Sequence, residues 1–333
     1  MDTIKYPSTE NKGCREGFGE ALVELGKENP DIVVITADLA ESTRVLDFGK
    51  KFPERFFDVG VAEQNMMGLA AGLALSGKIP FISSYATFSP GRNWDQFRVS
   101  VCYSNTNVKV IGAHSGISVG PDGATHQALE DLAIARVLPN LVVMTPCDFL
   151  EAKKMVKAAA AHQGPVYIRF GREKTPLFTT AETPFEIGKA NVLREGTDVT
   201  IFACGPLVYK ALEAAEELEN KSNESSNPNN ANKISCEVIN VHTLKPLDIE
   251  TIVNSAKKTK AVVTVEEHQI HGGLRGAIAE CLSQHYPVPI EPVGMPDIFG
   301  ESGKPEELLT KYGMSVEAIK EAVVKVLGKK ESG

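Results

Sequence analysis

The sequence predicts an α/β protein of two domains, each a mostly parallel sheet with helices on both faces. Three observations carry this. Short β-branched runs alternate with helical stretches, the pattern of parallel strands joined by crossover helices. The 333 residues exceed what one ordinary α/β layer needs. A polar segment at 174–192, holding Pro176 and Pro184, interrupts the rhythm before the alternation starts afresh. Residues 1–185 are therefore assigned to a first domain and 186–333 to a second.

The elements follow in order. Residues 31–37 read as a buried strand, 61–76 as an apolar helix rich in small residues, and 79–85 as the next strand. A helix is expected over 92–102 and a strand over 108–113. A Gly-rich loop follows, then a helix from His126, a strand at 141–144, a helix at 149–161 and a strand at 166–169. In the second domain strands are read at 198–203, 236–241, 261–265 and 288–293, with helices at 206–218 and 273–284. Two amphipathic helices, 305–311 and 315–327, close the chain. The segment 219–233 is polar and of low complexity, an insertion read as a mobile surface loop.

Composition narrows the function. Lys and Arg number 35 against 43 Asp and Glu, a net charge of −8, which excludes a dedicated binder of nucleic acid or anionic membrane. No run of eighteen apolar residues is present, and the first residues lack the apolar core of a signal peptide. Six cysteines are scattered without a CxxC pair, so they read as free thiols of a cytoplasmic protein. Neither GxxxxGK[ST] nor a GxGxxG after a strand occurs, and no standard metal-ligand spacing is found. An enzyme, or part of one, remains.

Three clusters lie near the ends of expected first-domain strands, where parallel α/β sheets bind ligands. In Asp58-Val-Gly-Val-Ala-Glu-Gln-Asn-Met66, Glu63 opens an otherwise apolar helix. It is either a carboxylate complementing the helix dipole or a buried carboxyl that hydrogen-bonds a ligand nitrogen. Gly68 and Gly72 form a small-residue face that lets another helix approach. In Ser84-Tyr-Ala-Thr-Phe-Ser-Pro-Gly-Arg-Asn-Trp94, Tyr85 and Phe88 are core aromatics or a platform for a planar ring. In Gly112-Ala-His-Ser-Gly-Ile-Ser-Val-Gly-Pro-Asp-Gly-Ala-Thr-His-Gln127, His114, Asp122 and His126 share one Gly-rich loop and suggest a polar substrate site. Their spacing resembles no metal knuckle.

At these clusters, above all GPDGATHQ with GVAEQNM, the chain resembles the transketolase family of thiamine diphosphate enzymes. It looks like the C-terminal half of the family enzyme made as a separate subunit: a pyrimidine-binding domain followed by the transketolase C-terminal domain. The resemblance implies that Glu63 hydrogen-bonds the aminopyrimidine ring nitrogen. A carboxyl there favours the imino tautomer, whose nitrogen can take the thiazolium proton. It implies that Phe88 stacks on the pyrimidine with Tyr85 beside it, and that Asp38 lies near the cofactor and a subunit contact. His114, Asp122 and His126 match substrate-channel residues, the two histidines binding and polarising the sugar. Arg15, Ser42 and Arg172 fall where the family places phosphate-binding groups; an arginine fork donates two bonds to a phosphate.

The chain departs from the family pattern in two places. Ser89-Pro-Gly-Arg92 replaces a longer apolar segment, leaving Arg92 and Trp94 without a role. The GDG…N element that holds Mg²⁺ or Ca²⁺ and the diphosphate is absent, so metal binding is expected of a partner subunit. The implied activity is transfer of a two-carbon ketol unit between sugar phosphates, as in the pentose phosphate pathway, by an α₂β₂ assembly with an N-terminal transketolase subunit. Rival expectations are the C-terminal part of a 1-deoxyxylulose-5-phosphate synthase-like enzyme, the β subunit of a 2-oxo acid dehydrogenase, or a non-catalytic binding module that keeps the fold.

Overall fold

The computed structural model describes residues 10–220 and 233–332. The first residues, where no signal peptide is read, and all but the ends of the polar insertion lie outside the described residues. The first half runs β1 (Asn11–Gly13), α1 (Cys14–Glu28), β2 (Ile32–Thr36), α2 (Leu46–Lys51), β3 (Phe56–Asp58), α3 (Glu63–Leu75) and β4 (Ile79–Tyr85). A single turn, α4 (Trp94–Gln96), continues as a π-helix over Phe97–Tyr103. Then come β5 (Lys109–Ala113), α5 (Asp131–Arg136), β6 (Val142–Met144), α6 (Phe149–Ala161), β7 (Val166–Arg169) and β8 (Lys174–Pro176).

The second half runs β9 (Asn191–Arg194), β10 (Val199–Ala203), α7 (Leu207–Asn220), β11 (Cys236–Asn240), β12 (Thr243–Lys245), α8 (Ile249–Thr259) and β13 (Val262–Gln269). It ends with α9 (Leu274–His285), β14 (Ile290–Met295), α10 (Pro305–Lys311) and α11 (Val316–Ser332).

Two mostly parallel sheets result. In the first, β6-β7-β5-β4-β2-β3 are parallel neighbours. Its edge beyond β6 is occupied by β12, which arrives from the second half and pairs antiparallel. In the second, β14-β13-β10-β11 are parallel and β9 closes the edge antiparallel. β2, β5, β10 and β11 are buried at every residue, as strands covered on both faces must be.

Three apolar clusters fill the layers. One packs α1, α2 and α6 on one face of the first sheet, with Phe18, Phe48, Phe81 and Met155 fully buried. A second covers the outer face of the second sheet with α7 and α11. The third joins α3, the π-helix and α5 to α8 and α9, so one continuous core lies between the two sheets.

The helix expected from His126 starts only at Asp131, because His126 closes a turn (its N donates to Gly123 O at 3.0 Å) and the next carbonyls are taken by other segments: Gly116 N donates to Ala128 O at 2.9 Å and Gln269 N to Leu129 O at 2.8 Å. The helix expected over 92–102 starts at Trp94 and is mostly of π type. α1, α2, α8 and the strands β1, β3, β8, β9 and β12 are additional to the sequence reading. All six cysteines are buried and free. Among the described residues no helix is long and apolar enough to cross a membrane.

Candidate active site

The carboxyl ends of β2, β4, β5 and β7 and the N-termini of α1 and α3 converge on one side of the first sheet. Glu63 is the first residue of α3 and only 3% exposed. Both its carboxylate oxygens lie 3.2 Å from Nη1 of Arg92, and Ser84 Oγ is 3.5 Å from Oε1. The helix N-terminus adds partial positive charge beside the carboxylate. Asn93 Nδ2 donates to the Glu63 carbonyl at 3.2 Å and to Ser89 Oγ at 3.0 Å, tying the turn after β4 to the start of α3.

An aromatic column stands beside this carboxylate. The Phe88 ring lies 5.9 Å from Tyr85 with planes 23° apart, and Tyr85 lies 4.2 Å from the His114 imidazole at 26°. His126 meets Phe88 edge-on at 5.3 Å and Tyr85 at 6.1 Å. Thr125 Oγ1 is 2.9 Å from His126 Nδ1.

The loop bearing both histidines is braced by the second half of the chain. Glu267, buried on β13, accepts from Ser118 N at 2.6 Å, and Gln127 Nε2 donates to Glu301 O at 2.9 Å. Gly116 is required here: its φ is +83°, and a Cβ would stand 2.2 Å from Glu267 Oε1.

His114 has a defined tautomer. Arg15 Nη1 lies 3.4 Å from its Nε2, and a guanidinium only donates, so Nε2 accepts and Nδ1 carries the hydrogen. That Nδ1 is buried and has no partner among the described residues. Burial, then the charges of Arg15, Arg172, Arg44 and His126, push the imidazole down to about 3. The ring is therefore neutral at working pH, a hydrogen-bond donor rather than an acid.

A stability consequence follows, because an unfolded imidazole titrates near about 6.5. Between these values the native chain binds fewer protons than the unfolded one. His114 thus makes stability rise with pH through that window, and fall as pH drops from about 6.5 toward 3. His114→Asn should flatten the slope of unfolding free energy between pH 4 and 7 by a sizeable fraction of one proton. An unchanged slope in denaturant titrations would count against the burial argument.

The arginines lie beyond the imidazole. Arg15 Nη1 also donates to the Ser42 carbonyl at 3.3 Å, so Ser42 meets it through its backbone rather than its hydroxyl. Arg172 donates to Val119 O at 3.1 Å and stands 3.7 Å from Asp122 Oδ1. Arg15 and Arg172 line a cavity of about 590 Å³ between the two halves of the chain, together with Ser118 and Glu267.

The structure thus joins Glu63, Tyr85, Phe88, His114 and His126 in one cluster, with Arg15 attached through His114 and Ser42 through Arg15. Asp122 pairs with Arg172 instead of either histidine. Asp38 sits exposed at the end of β2 with φ +61°, and its backbone N–H, which donates to Asp58 Oδ1 at 2.9 Å, is its engaged group. Sequence reasoning names Arg92 but gives it no role, and gives none to Ser84, Asn93 and Glu267. For Arg92 a signal existed, since Phe88 and Arg92 are four residues apart across a turn; Glu267 carries none.

A buried carboxyl and an aromatic face fit one side of an amino-substituted heterocycle, and the unpaired imidazole N–H of His114 is left to donate to a neighbouring ligand oxygen. Among the described residues no group of three or more His, Cys, Asp or Glu is placed to hold a metal ion.

Comparison with known proteins places the chain in a family. The family model described as transketolase, pyrimidine binding domain, matches residues 11–176, and the transketolase C-terminal domain model matches 188–319. A protein named "Putative transketolase C-terminal section" from Methanocaldococcus jannaschii is 45% identical over 322 residues, covering 96% of this chain and 97% of its own. The "6-deoxy-6-sulfo-D-fructose transketolase subunit SqwH" of Clostridium sp. is 41% identical, with 96% of each chain covered. Among solved structures, a "Split gene transketolase, inactive beta4 tetramer" is 49% identical with a TM-score of 0.87, covering 96% of this chain and 99% of that one. The chain therefore belongs to the transketolase family, of which it carries the pyrimidine-binding and C-terminal domains.

Proposed function

We propose that this chain is the C-terminal subunit of a two-component, thiamine-diphosphate-dependent transketolase of the cytoplasm. It would move a two-carbon ketol unit from a ketose phosphate to an aldose phosphate, together with a separate N-terminal subunit in an α₂β₂ assembly. We divide the chain into a pyrimidine-binding part, 1–185, and a C-terminal part, 186–333. The observation that carries the reading is Glu63: a carboxylate 3% exposed, joined through the Arg92 guanidinium to the Phe88 ring, which in turn meets His126 edge-on.

When bound, the cofactor supplies a carbon nucleophile and an electron sink for cleaving the bond beside a ketone. The chain's own groups do the rest. Glu63 hydrogen-bonds the ring nitrogen of the aminopyrimidine and holds a proton there, while Phe88 and Tyr85 cover its face. Asp38, exposed past the end of β2, would face the cofactor and a subunit contact. Neutral His114 donates Nδ1–H to a sugar oxygen, and His126 and Asp122 bind further hydroxyls. Arg15, Ser42 and Arg172 hold the phosphate.

Mg²⁺ or Ca²⁺ and the diphosphate fall to the partner in this reading. A surface for that partner is at hand on α3, where Gly68 and Gly72 are exposed with open space above them and Leu69 and Leu75 are exposed beside them.

The terminal anion is the open variable, because a relative is named for a sulfosugar and an arginine fork accepts either phosphate or sulfonate. The test is reconstitution. The purified chain should be inactive alone and active with an N-terminal subunit that carries the metal-binding element. Turnover of fructose 6-phosphate, of its 6-sulfo analogue and of pyruvate should then be compared. Robust activity of the chain alone would sink the split-site reading, and turnover of pyruvate only would favour the deoxyxylulose-phosphate synthase chemistry.

A further inference from the structure

Arg92 belongs to no part of the proposed chemistry, yet it occupies the centre of the site. Its Nη1 lies 3.2 Å from each oxygen of Glu63, and its guanidinium carbon lies 3.9 Å from the centre of the Phe88 ring. These are the two contacts that the proposed function gives to the cofactor's aminopyrimidine: hydrogen bonds to the Glu63 carboxyl and a face against Phe88. A guanidinium suits both, being planar, nitrogen-edged and able to stack on an aromatic ring. The turn aims it there. Arg92 N donates to Phe88 O at 2.8 Å, so the two residues stand one helical turn apart on the same side.

We propose that Arg92 is an internal competitor for the pyrimidine's place, filling it in the ligand-free chain and leaving it when the cofactor enters. The inference rests on the proposed function and concerns the regulation of the same site. Glu63 gives the reason for such a device. A carboxylate this buried is costly without a partner, and its other side-chain hydrogen bond, from Ser84, is long at 3.5 Å. Arg92 can supply the charge and still depart, because its side chain is 48% exposed and has solvent to enter.

The competition has a calculable effect. Apparent affinity falls by the fraction of chains whose site is open, so a place held by Arg92 nine times in ten weakens capture about tenfold. A lone subunit then takes up cofactor poorly. The added hold of a partner on the diphosphate is what tips the exchange.

The test uses the full chain and a probe that needs only the half-site it carries, 4-amino-2-methylpyrimidine, followed by ligand-detected NMR at millimolar concentration. Arg92→Ala should bind the probe about tenfold more tightly than the natural chain, and Arg92→Lys, which keeps the charge and loses the plane, should fall between them. Trp94, the only tryptophan of the chain and two residues from Arg92, should change its fluorescence when the natural chain takes up the probe.

Binding by Arg92→Ala equal to or weaker than the natural chain's overturns the inference and leaves the cofactor reading standing. If Arg92→Ala does not fold, Arg92→Lys decides between the same outcomes: tighter binding than the natural chain's supports the inference, and equal or weaker binding overturns it. Absence of probe binding in every chain removes the cofactor reading itself, and this inference with it.

Discussion

Replacing Glu63 with alanine in the reconstituted pair should lower turnover by on the order of 10²–10⁴-fold, the usual worth of a positioned acid–base group. The fold should persist. Glu63 touches Arg92 and Ser84 through its side chain, and Arg92 is exposed enough to rehydrate once its partner is gone. The carboxylate's contribution to the helix terminus is about 0.3–1 kcal/mol, so thermal unfolding and subunit association should change little. Glu63→Gln separates two parts of the role: it keeps a hydrogen-bonding group against the ring nitrogen and loses the ability to hold a proton, so it should retain binding of the cofactor and lose turnover. Rates compared with circular dichroism and sedimentation on the same preparations decide the matter. Turnover largely undiminished in Glu63→Ala would show the assigned role to be wrong.

The second large effect concerns folding. Asp131 and Arg169 are each 2% exposed in their side chains. Arg169 Nε donates to both Asp131 oxygens, at 3.1 and 2.9 Å, and Tyr167 OH donates to Oδ2 at 2.8 Å. Arg169 Nη2 reaches across to Glu267 O at 2.6 Å and to Ala128 O at 3.3 Å. One guanidinium therefore fastens the end of β7, the residues after the histidine loop, and β13 of the second half.

Asp131→Ala leaves that guanidinium buried without its counter-charge, which costs about 3–5 kcal/mol. The urea midpoint should drop accordingly while the slope stays constant. The paired change Asp131→Leu with Arg169→Met should recover much of the loss, because buried ion pairs are weak net stabilisers once desolvation is counted. A single-mutant loss under about 1 kcal/mol would mean that water reaches the pair.

Much of the fold is legible in the sequence, and for physical reasons. β4, α6, β7 and α10 stand where the residue pattern places them, since each is an uninterrupted run of one period. α1 escapes such a reading, because Gly17, Gly19 and Gly26 dilute its apolar stripe; Gly17 is there because a Cβ would stand 2.5 Å from the Phe149 carbonyl on α6. α8 does leave a signal: Asp248 accepts from Thr251 N at 3.2 Å as its N-cap, just before an amphipathic stretch. β12 leaves none, since three residues have no period.

The site divides the same way. Glu63, Phe88, His114 and His126 lie on short motifs whose residue types declare a chemistry, and the fold brings them together. Asp122 is expected with the histidines from its loop, but its neighbour in space is Arg172. Arg92 and Glu267 depend on how a side chain folds back or on a contact across 149 positions, which one-dimensional spacing does not record.

The edge position of β12 bears on how the molecule is made. The first sheet has its crossover helices and six parallel strands once residue 169 has been synthesised, but the rim along β6 stays open until Thr243–Lys245 arrives. A nascent chain of intermediate length therefore carries a folded sheet with a bare edge, the template on which strands of other chains pair. Translation must add some 75 further residues, roughly four to fifteen seconds at ordinary speed, before the chain can cap itself. For the same reason a cut at the polar connection would not yield two independent pieces. The first would be left with an unmade seam, and the second would lose the sheet edge on which β12 rests.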